Sequence, residues 1–323
     1  MKLLKVLLLS LFVTSSAFAA DAKLPSKSTA DHLQDVSVTI RSEGQWSAGE
    51  GSGVIFSRKD KAGNTVNFVW TAAHVIDNLR TERKVIVNGA PRTVVSFKDA
   101  KIIKVLRQDG RAVGRLELNA EVLKYSDSED GHDLALLRIR KLNFVTDTVT
   151  FWLDKKIPKL GTDLWHVGSL LGQMGANSMT DGIYSQTGRL IPNLNKHVFD
   201  QTTVAAFPGS SGGGVFLKSN SCYVGMLVRG AGETFNLIVP VRRMTQWAEK
   251  NKIAWALDPK VKMPTEEELD KIPVEDVGAD FSKENEEKKR KKRMLTQKDF
   301  PFMLGLKPLA PLPLIKTREY NID

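Results

Sequence analysis

Phe207-Pro208-Gly209-Ser210-Ser211-Gly212-Gly213-Gly214 packs four glycines and a proline into eight residues. Such a stretch makes a poor helix and a poor strand interior. It makes a good tight loop whose backbone can approach a ligand closely. Within it Ser211 stands in Gly-x-Ser-Gly-Gly. A serine hydroxyl is a weak nucleophile until a base takes its proton. The glycines around it can aim backbone N–H groups at a developing oxyanion. Taken alone, the stretch reads equally well as a turn with two serines, so the rest of the chain must supply a base and an acid to orient it.

Working outward, Trp70-Thr71-Ala72-Ala73-His74-Val75-Ile76 sets a histidine at the end of an apolar run, Val66 to Trp70. Gly131-His132-Asp133-Leu134-Ala135-Leu136-Leu137-Arg138-Ile139 sets an aspartate just before another. A lone histidine at a strand end is usually structural, and a lone aspartate before a strand is usually a turn residue. The order His, Asp, Ser, each with its own flanking pattern, is far more specific. On these residues, with Gln201-Thr202-Thr203 leading into the serine loop, the chain resembles the trypsin-like serine peptidases, and most closely their bacterial HtrA/Deg-type branch. The resemblance covers roughly residues 36 to 255.

Chain order removes two other nucleophile loops. Gly-x-Ser-x-Gly also marks the α/β-hydrolase elbow, but there the histidine follows the serine, and the last histidine here is His197. Subtilisin-like enzymes run Asp, His, Ser, and no suitable aspartate-bearing strand precedes His74.

The length, 323 residues, suits about two domains. The apolar fraction of 41% is that of a globular protein, and the net charge is +10. The single cysteine, Cys222, excludes an intrachain disulfide and reads as a half-buried structural residue. Its solitude favours a bacterial over a secreted animal protease. Residues 1–19 read as a signal peptide: Lys2 and Lys5, a short apolar core from Val6 to Val13, and Ala17-Phe18-Ala19 as a cleavage signal. The core is too short to span a bilayer, so the expectation is an exported protein, periplasmic or secreted, without stable membrane insertion after cleavage.

Residues 20–35 are polar and read as a flexible lead-in. Short alternating runs then recur with turn signals such as Asn88-Gly89 and Asp109-Gly110 between them, the pattern of an all-β barrel or sandwich. The first set fills 36–145. A second set follows in 146–258 and ends in helical spacing from Arg242 to Asn251, with Met244, Trp247 and Ala248 on one face. The resemblance implies two antiparallel β-barrels, with His74 and Asp133 from the first, Ser211 from the second, and the site in the cleft between them. Residues 259–323 change composition. Thr265-Glu266-Glu267-Glu268 is a capping box for a short helix. Ser282 caps a second, with Glu284/Lys288, Glu286/Arg290 and Glu287/Lys291 as i,i+4 pairs. The basic run Lys288 to Arg293 and four prolines follow. This tail reads as mostly disordered, and it does not look like the PDZ domain that HtrA proteins usually carry. The resemblance therefore implies neither PDZ-controlled activation nor a particular oligomeric state.

By the resemblance, Ser211 attacks the scissile carbonyl, His74 is the general base, Asp133 orients the imidazole, and the N–H groups of Gly209 and Ser211 form the oxyanion hole. His132, next to Asp133, points to the other face of a strand and is not the base; His166 and His197 read as ordinary strand residues. Ala205 is expected near the base of the primary pocket. Leu227, Val228, Arg229 and Gly230 are expected to form the wall that pairs with an extended peptide. No aspartate falls at the pocket base, which disfavours a Lys/Arg preference. Leu227 falls where glutamate-selective relatives carry a histidine. An apolar P1 residue is the expectation, with Arg229 discordant, either solvated or receiving an acidic group. No metal or cofactor motif is present, and none is expected. The partners are protein or peptide substrates, with no nucleic acid. Two rivals stand beside this reading: a protease-fold binding protein that does not cut, and a binder of anionic surfaces working through the basic tail.

Overall fold

The computed structural model describes residues 28–275, apart from 46, 88, 89, 130, 192–196 and 231–233. The expected signal peptide, the expected second tail helix with its basic run, and the tail beyond residue 275 lie outside the described residues.

The apolar runs become strands. In the first half these are β1 (Ser37–Glu43), β2 (Ala48–Lys59), β3 (Thr65–Thr71), β6 (Ala100–Gln108), β7 (Arg111–Ser126) and β8 (Leu134–Ile139), with a separate hairpin of β4 (Arg80–Val87) and β5 (Ala90–Phe97). In the second they are β9 (Asp163–Leu170), β10 (Gly175–Leu190), β11 (Val198–Thr202), β12 (Gly214–Leu217), β13 (Tyr223–Gly230) and β14 (Asn236–Pro240). Each set closes into an antiparallel barrel, in the orders β1-β2-β3-β8-β7-β6 and β9-β10-β11-β14-β13-β12. The two orders are the same pattern repeated, three strands laid in sequence and three returning in reverse. Closure leaves no unpaired sheet edge in either barrel. This is the chymotrypsin-type architecture.

A helix α3 (Val241–Lys250) follows the second barrel and packs back against the first. Trp70 of β3 and Trp247 of α3 meet edge to face with ring centroids 5.9 Å apart, and Trp70 Nε1 donates to the Ala256 carbonyl. Phe68 and Trp255 meet at 4.9 Å. Phe68 is fully buried, and removing a side chain of that size from water contributes about 2–3 kcal/mol.

The compact unit runs to Val274. Residues 259–274, read from composition as part of the tail, are therefore folded. Thr265 does cap a short helix α4 (Glu266–Leu269) through a capping box, Leu269 is buried, and Tyr125 N–H donates to the Val274 carbonyl. The lead-in is also not wholly flexible. Thr29–Asp35 is a helix, α1, capped by Ser28 and Asp31, and it buries Leu33.

Candidate active site

His74 lies on α2 (Ala73–Ile76), a single turn that follows β3. Asp133 lies just before β8, buried and in the left-handed region at φ 55°. That conformation costs an aspartate of order 1–3 kcal/mol, and the surrounding bonds hold it. Asp133 N–H donates to the Asp127 carbonyl. The carboxylate accepts from the His74 amide at 3.1 Å, and both of its oxygens lie 3.0 Å from His74 Nδ1. Burial opposes charging of His74, but the carboxylate outweighs it and holds the imidazole above its ordinary value. Burial likewise penalises the Asp133 anion, and the imidazole, its hydrogen bonds and the Arg229 charge hold the carboxyl below the usual range.

Ser211 sits across the cleft in the loop joining β11 to β12. Gly212 has φ 87°, and a Cβ there would lie 2.1 Å from the Ser52 carbonyl oxygen. Gly209 has φ 94°, with a Cβ 2.3 Å from the Ser169 carbonyl oxygen. Only glycine fits either place. The first barrel grips this loop. Ser52 N–H donates to the Ser211 carbonyl at 2.7 Å, Ser52 Oγ donates to the Gly209 carbonyl at 2.7 Å, and Ser169 N–H donates to Ser52 Oγ. Leu171 N–H takes the Pro208 carbonyl at 2.7 Å. Because the peptide is planar and trans, the Gly209 N–H then points away from Leu171. Among the described residues, neither the Gly209 nor the Ser211 N–H has an acceptor.

The Ser211 hydroxyl itself donates to the Val228 carbonyl at 3.4 Å rather than to His74. Val228 is the bulged residue of β13, since Leu227 and Arg229 pair with successive residues of β14. A bulge turns its residue out of the ladder, which leaves this carbonyl free to face the serine.

A cavity of about 350 Å³ opens beside Ser211, lined by Ala206, Phe207, Leu227, Val228, Arg229 and Gly230 among others. Among the described residues, no carboxylate lines it. Ala206 lines it where Ala205 was expected; the Ala205 carbonyl is instead held by Thr180 Oγ1 at 2.9 Å. A larger cavity, about 630 Å³, lies between β2, β8 and α4. It holds none of these residues, and its arginines are already paired, Arg138 with Asp270 and Arg140 with Asp99.

The discordant arginine is accounted for. Arg229 Nη2 donates to the Ser128 carbonyl at 3.1 Å and lies 3.9 Å from Asp133 Oδ2. Of the other histidines, His166 is buried behind the serine loop, with Nδ1 3.0 Å from the Gly214 carbonyl, and burial pushes it down to about 4. His132 stacks on His197 at 4.0 Å and is pushed down to about 3, by burial first. Sequence reasoning missed Arg243, which is buried and donates to the His132 carbonyl at 2.7 Å. A signal was present, because Arg243 and Trp247 are four apart and share the buried face of α3. It also missed Leu171, left-handed at φ 59°, for which no local pattern exists.

Residues 51–226 match the family described as the trypsin-like peptidase domain. The "Serine protease Do-like HtrA" of Lactobacillus helveticus is 32% identical over 166 residues, 51% of this chain and 32% of that protein. The chain thus spans about a third of the curated relative it matches. An HtrA-type protease solved with a tripeptide has the same fold at TM-score 0.50 and 21% identity, over 71% of this chain and 64% of that one. A protease of Mycobacterium tuberculosis in its active form gives TM-score 0.49 at 16% identity, over 69% of this chain and 83% of that one.

Proposed function

The chain belongs to the trypsin-like peptidase family, and we propose that it is an exported serine endopeptidase that hydrolyses protein substrates through an acyl-enzyme. Ser211 attacks the carbonyl, His74 takes the proton and returns it to the leaving amine, and Asp133 orients the imidazole and stabilises its charged form. The Gly209 and Ser211 N–H groups receive the oxyanion.

One observation carries the reading. The Pro208 carbonyl is tied to Leu171, so the two N–H donors stand open beside the serine before any substrate arrives. A non-cutting relative with a collapsed loop would have that carbonyl turned into the hole. The long bond from Ser211 to the Val228 carbonyl belongs to the free enzyme. A peptide strand pairing along β13 competes for that carbonyl and releases the hydroxyl toward His74; free-enzyme geometry of this kind commonly tightens on binding. An apolar P1 residue fits a cavity whose described lining holds no carboxylate and whose Arg229 is committed to Ser128 and Asp133.

The test is casein hydrolysis by the mature protein beside Ser211→Ala, with fragment masses recorded. The variant is expected to lose about 10³- to 10⁶-fold in rate, and the fragments to end in apolar residues. Equal cleavage by both proteins overturns the mechanism. Failure of the wild type both to cleave and to react with a fluorophosphonate probe overturns the enzyme reading.

A further inference from the structure

The loop from Asp127 to Asp133 belongs to the first barrel, yet two arginines hold it from the other side of the cleft. Arg229 of β13 reaches the Ser128 carbonyl at 3.1 Å, and the same nitrogen lies 3.9 Å from Asp133 Oδ2. Arg243 of α3 reaches the carbonyl of His132 at 2.7 Å and that of Val198 at 3.3 Å, with its guanidinium over the Phe199 ring. Arg243 is buried and Arg229 half-buried, and a cation drawn out of water is costly unless an anion and acceptors face it. The anion facing both is Asp133, only 1% exposed. The loop is also where the backbone is strained, at the φ of 55° of Asp133, so it needs anchors to stay in place. His74 and Ser211 come from different barrels, and whatever fixes this loop against the second barrel fixes the distance between base and nucleophile.

We propose that Arg229 is a positioning residue of the reaction, acting through Asp133: from the second barrel it holds the aspartate and its loop in register and balances the carboxylate's charge. The proposal rests on the peptidase reading above. Its electrostatic consequence has a definite sign. His74 is faced by Asp133 and, from the turn after α2, by Asp77, both of which favour the imidazolium; Arg229 disfavours it. Asp133 is faced by His74, Arg229 and Arg243 and, as a like charge, by Asp77. Removing the Arg229 charge leaves burial alone to oppose the two carboxylates, and His74 then holds its proton to higher pH. A general base must be neutral to act, so the acidic limb of kcat/KM, which reports the free enzyme, moves to higher pH.

The experiment uses the full mature chain with Arg229→Met, Arg229→Gln and Arg229→Lys, following peptide hydrolysis from acid to alkaline pH and titrating the His74 imidazole by NMR. Arg229→Met is expected to lower kcat/KM at neutral pH by about ten- to a hundredfold, the scale of a small misplacement of a reacting group, and to move the acidic limb up. Arg229→Gln, which can still donate to Ser128, moves the limb equally and keeps more of the rate, so it carries the test if the Met variant does not fold. Arg229→Lys keeps the charge without the planar fork and returns the limb toward that of the wild type. An acidic limb and a His74 titration that stay put in both neutral variants overturn the proposal, as does a Lys variant displaced as far as Met. If the wild type neither cleaves nor reacts with a fluorophosphonate probe, the peptidase reading falls by itself, and the NMR titration still decides whether Arg229 acts on the Asp133–His74 pair.

Discussion

The first barrel supplies His74 and Asp133, and what holds them is charge: a buried carboxylate doubly bonded to an imidazole, with arginine cations on its far side. The second supplies Ser211, and what holds it is neutral backbone. Ser52 and Leu171 grip the loop's carbonyls, Ser169 holds Ser52 in turn, and glycines at φ 94° and 87° let them come close. The two sides of one cleft are thus built to respond to different insults. Charge-held groups answer to pH and to the loss of a charge. A backbone-held loop answers to volume, and is indifferent to pH where nothing in it titrates. Each side can be broken without touching the other, and the signature of the break tells which kind of support was lost.

The largest effect is expected on the charged side. Asp133→Asn keeps the shape but removes the anion and presents an amide to His74 Nδ1, favouring the wrong tautomer. The expected loss in kcat is about 10⁴-fold. The variant also changes acid stability. The Asp133 carboxyl is held below its ordinary range in the folded protein. Its stabilising effect is therefore present above the unfolded carboxylate value and is lost as pH falls through the folded one. Melting temperature against pH should fall less steeply on the acid side in the Asn variant. An unchanged profile would mean that Asp133 is not held by charge.

Gly212→Ala should come next, on the neutral side. Its Cβ would lie 2.1 Å from the Ser52 carbonyl oxygen and 2.5 Å from Thr71 Oγ1. The nearest atom is backbone and cannot swing aside. Ser52 N–H is also the donor to the Ser211 carbonyl, so any shift moves the serine and the oxyanion donor together. A loss of about 10²- to 10³-fold in kcat/KM is expected, with stability lowered by about 1–3 kcal/mol. The acidic limb should stay where it is in the wild type. A displaced limb would dissolve the distinction between the two sides.

The same division explains what the sequence made legible. Apolar alternation marks β1, β3, β8 and β13 because those strands bury at least one face. In the sixteen-residue β7 it marks only Arg115 to Leu118, within the mostly exposed first nine residues, and in β10 only Gly182 to Ser185, around the buried Tyr184. Burial writes the pattern only where the buried residues are apolar: the inner half of β7, Ala120 to Ser126, buries Lys124 and Ser126, and polar side chains at buried positions erase the alternation. In the site, glycines at positive φ, a histidine at a strand end and an aspartate before a strand are local signals, and all three were readable. The grips between barrels are not local. The Ser52 to Gly209 bond spans 157 residues, and the Arg229 to Ser128 bond spans 101. No spacing rule in a single sequence connects such pairs. Helix α1 was a plainer omission, since Ser28 and Asp31 carry its cap in sequence.

The smallest expected effect tests the charge account most finely. Asp77 is exposed on one side and on the other accepts from the Tyr125 hydroxyl at 2.6 Å; it is pushed up to about 6 by desolvation from the protein on that side and by the charges of Asp127 and Asp133, against the Tyr125 bond and the His74 charge. It therefore becomes anionic close to neutrality, near a His74 that it helps to keep protonated. Asp77→Asn removes that anion. His74 should release its proton at lower pH, and the acidic limb of kcat/KM should move down, opposite to Arg229→Met. On that limb the gain in rate should be at most about tenfold, one pKa unit's worth. At alkaline pH, where His74 is neutral in both proteins, the rates should agree. The double variant Asp77→Asn with Arg229→Met should bring the limb back toward its wild-type position, because the two charges act on one imidazole with opposite sign. If Asp77→Asn moves the limb upward, or if the two shifts fail to offset, the first barrel does not hold its base by a balance of charges.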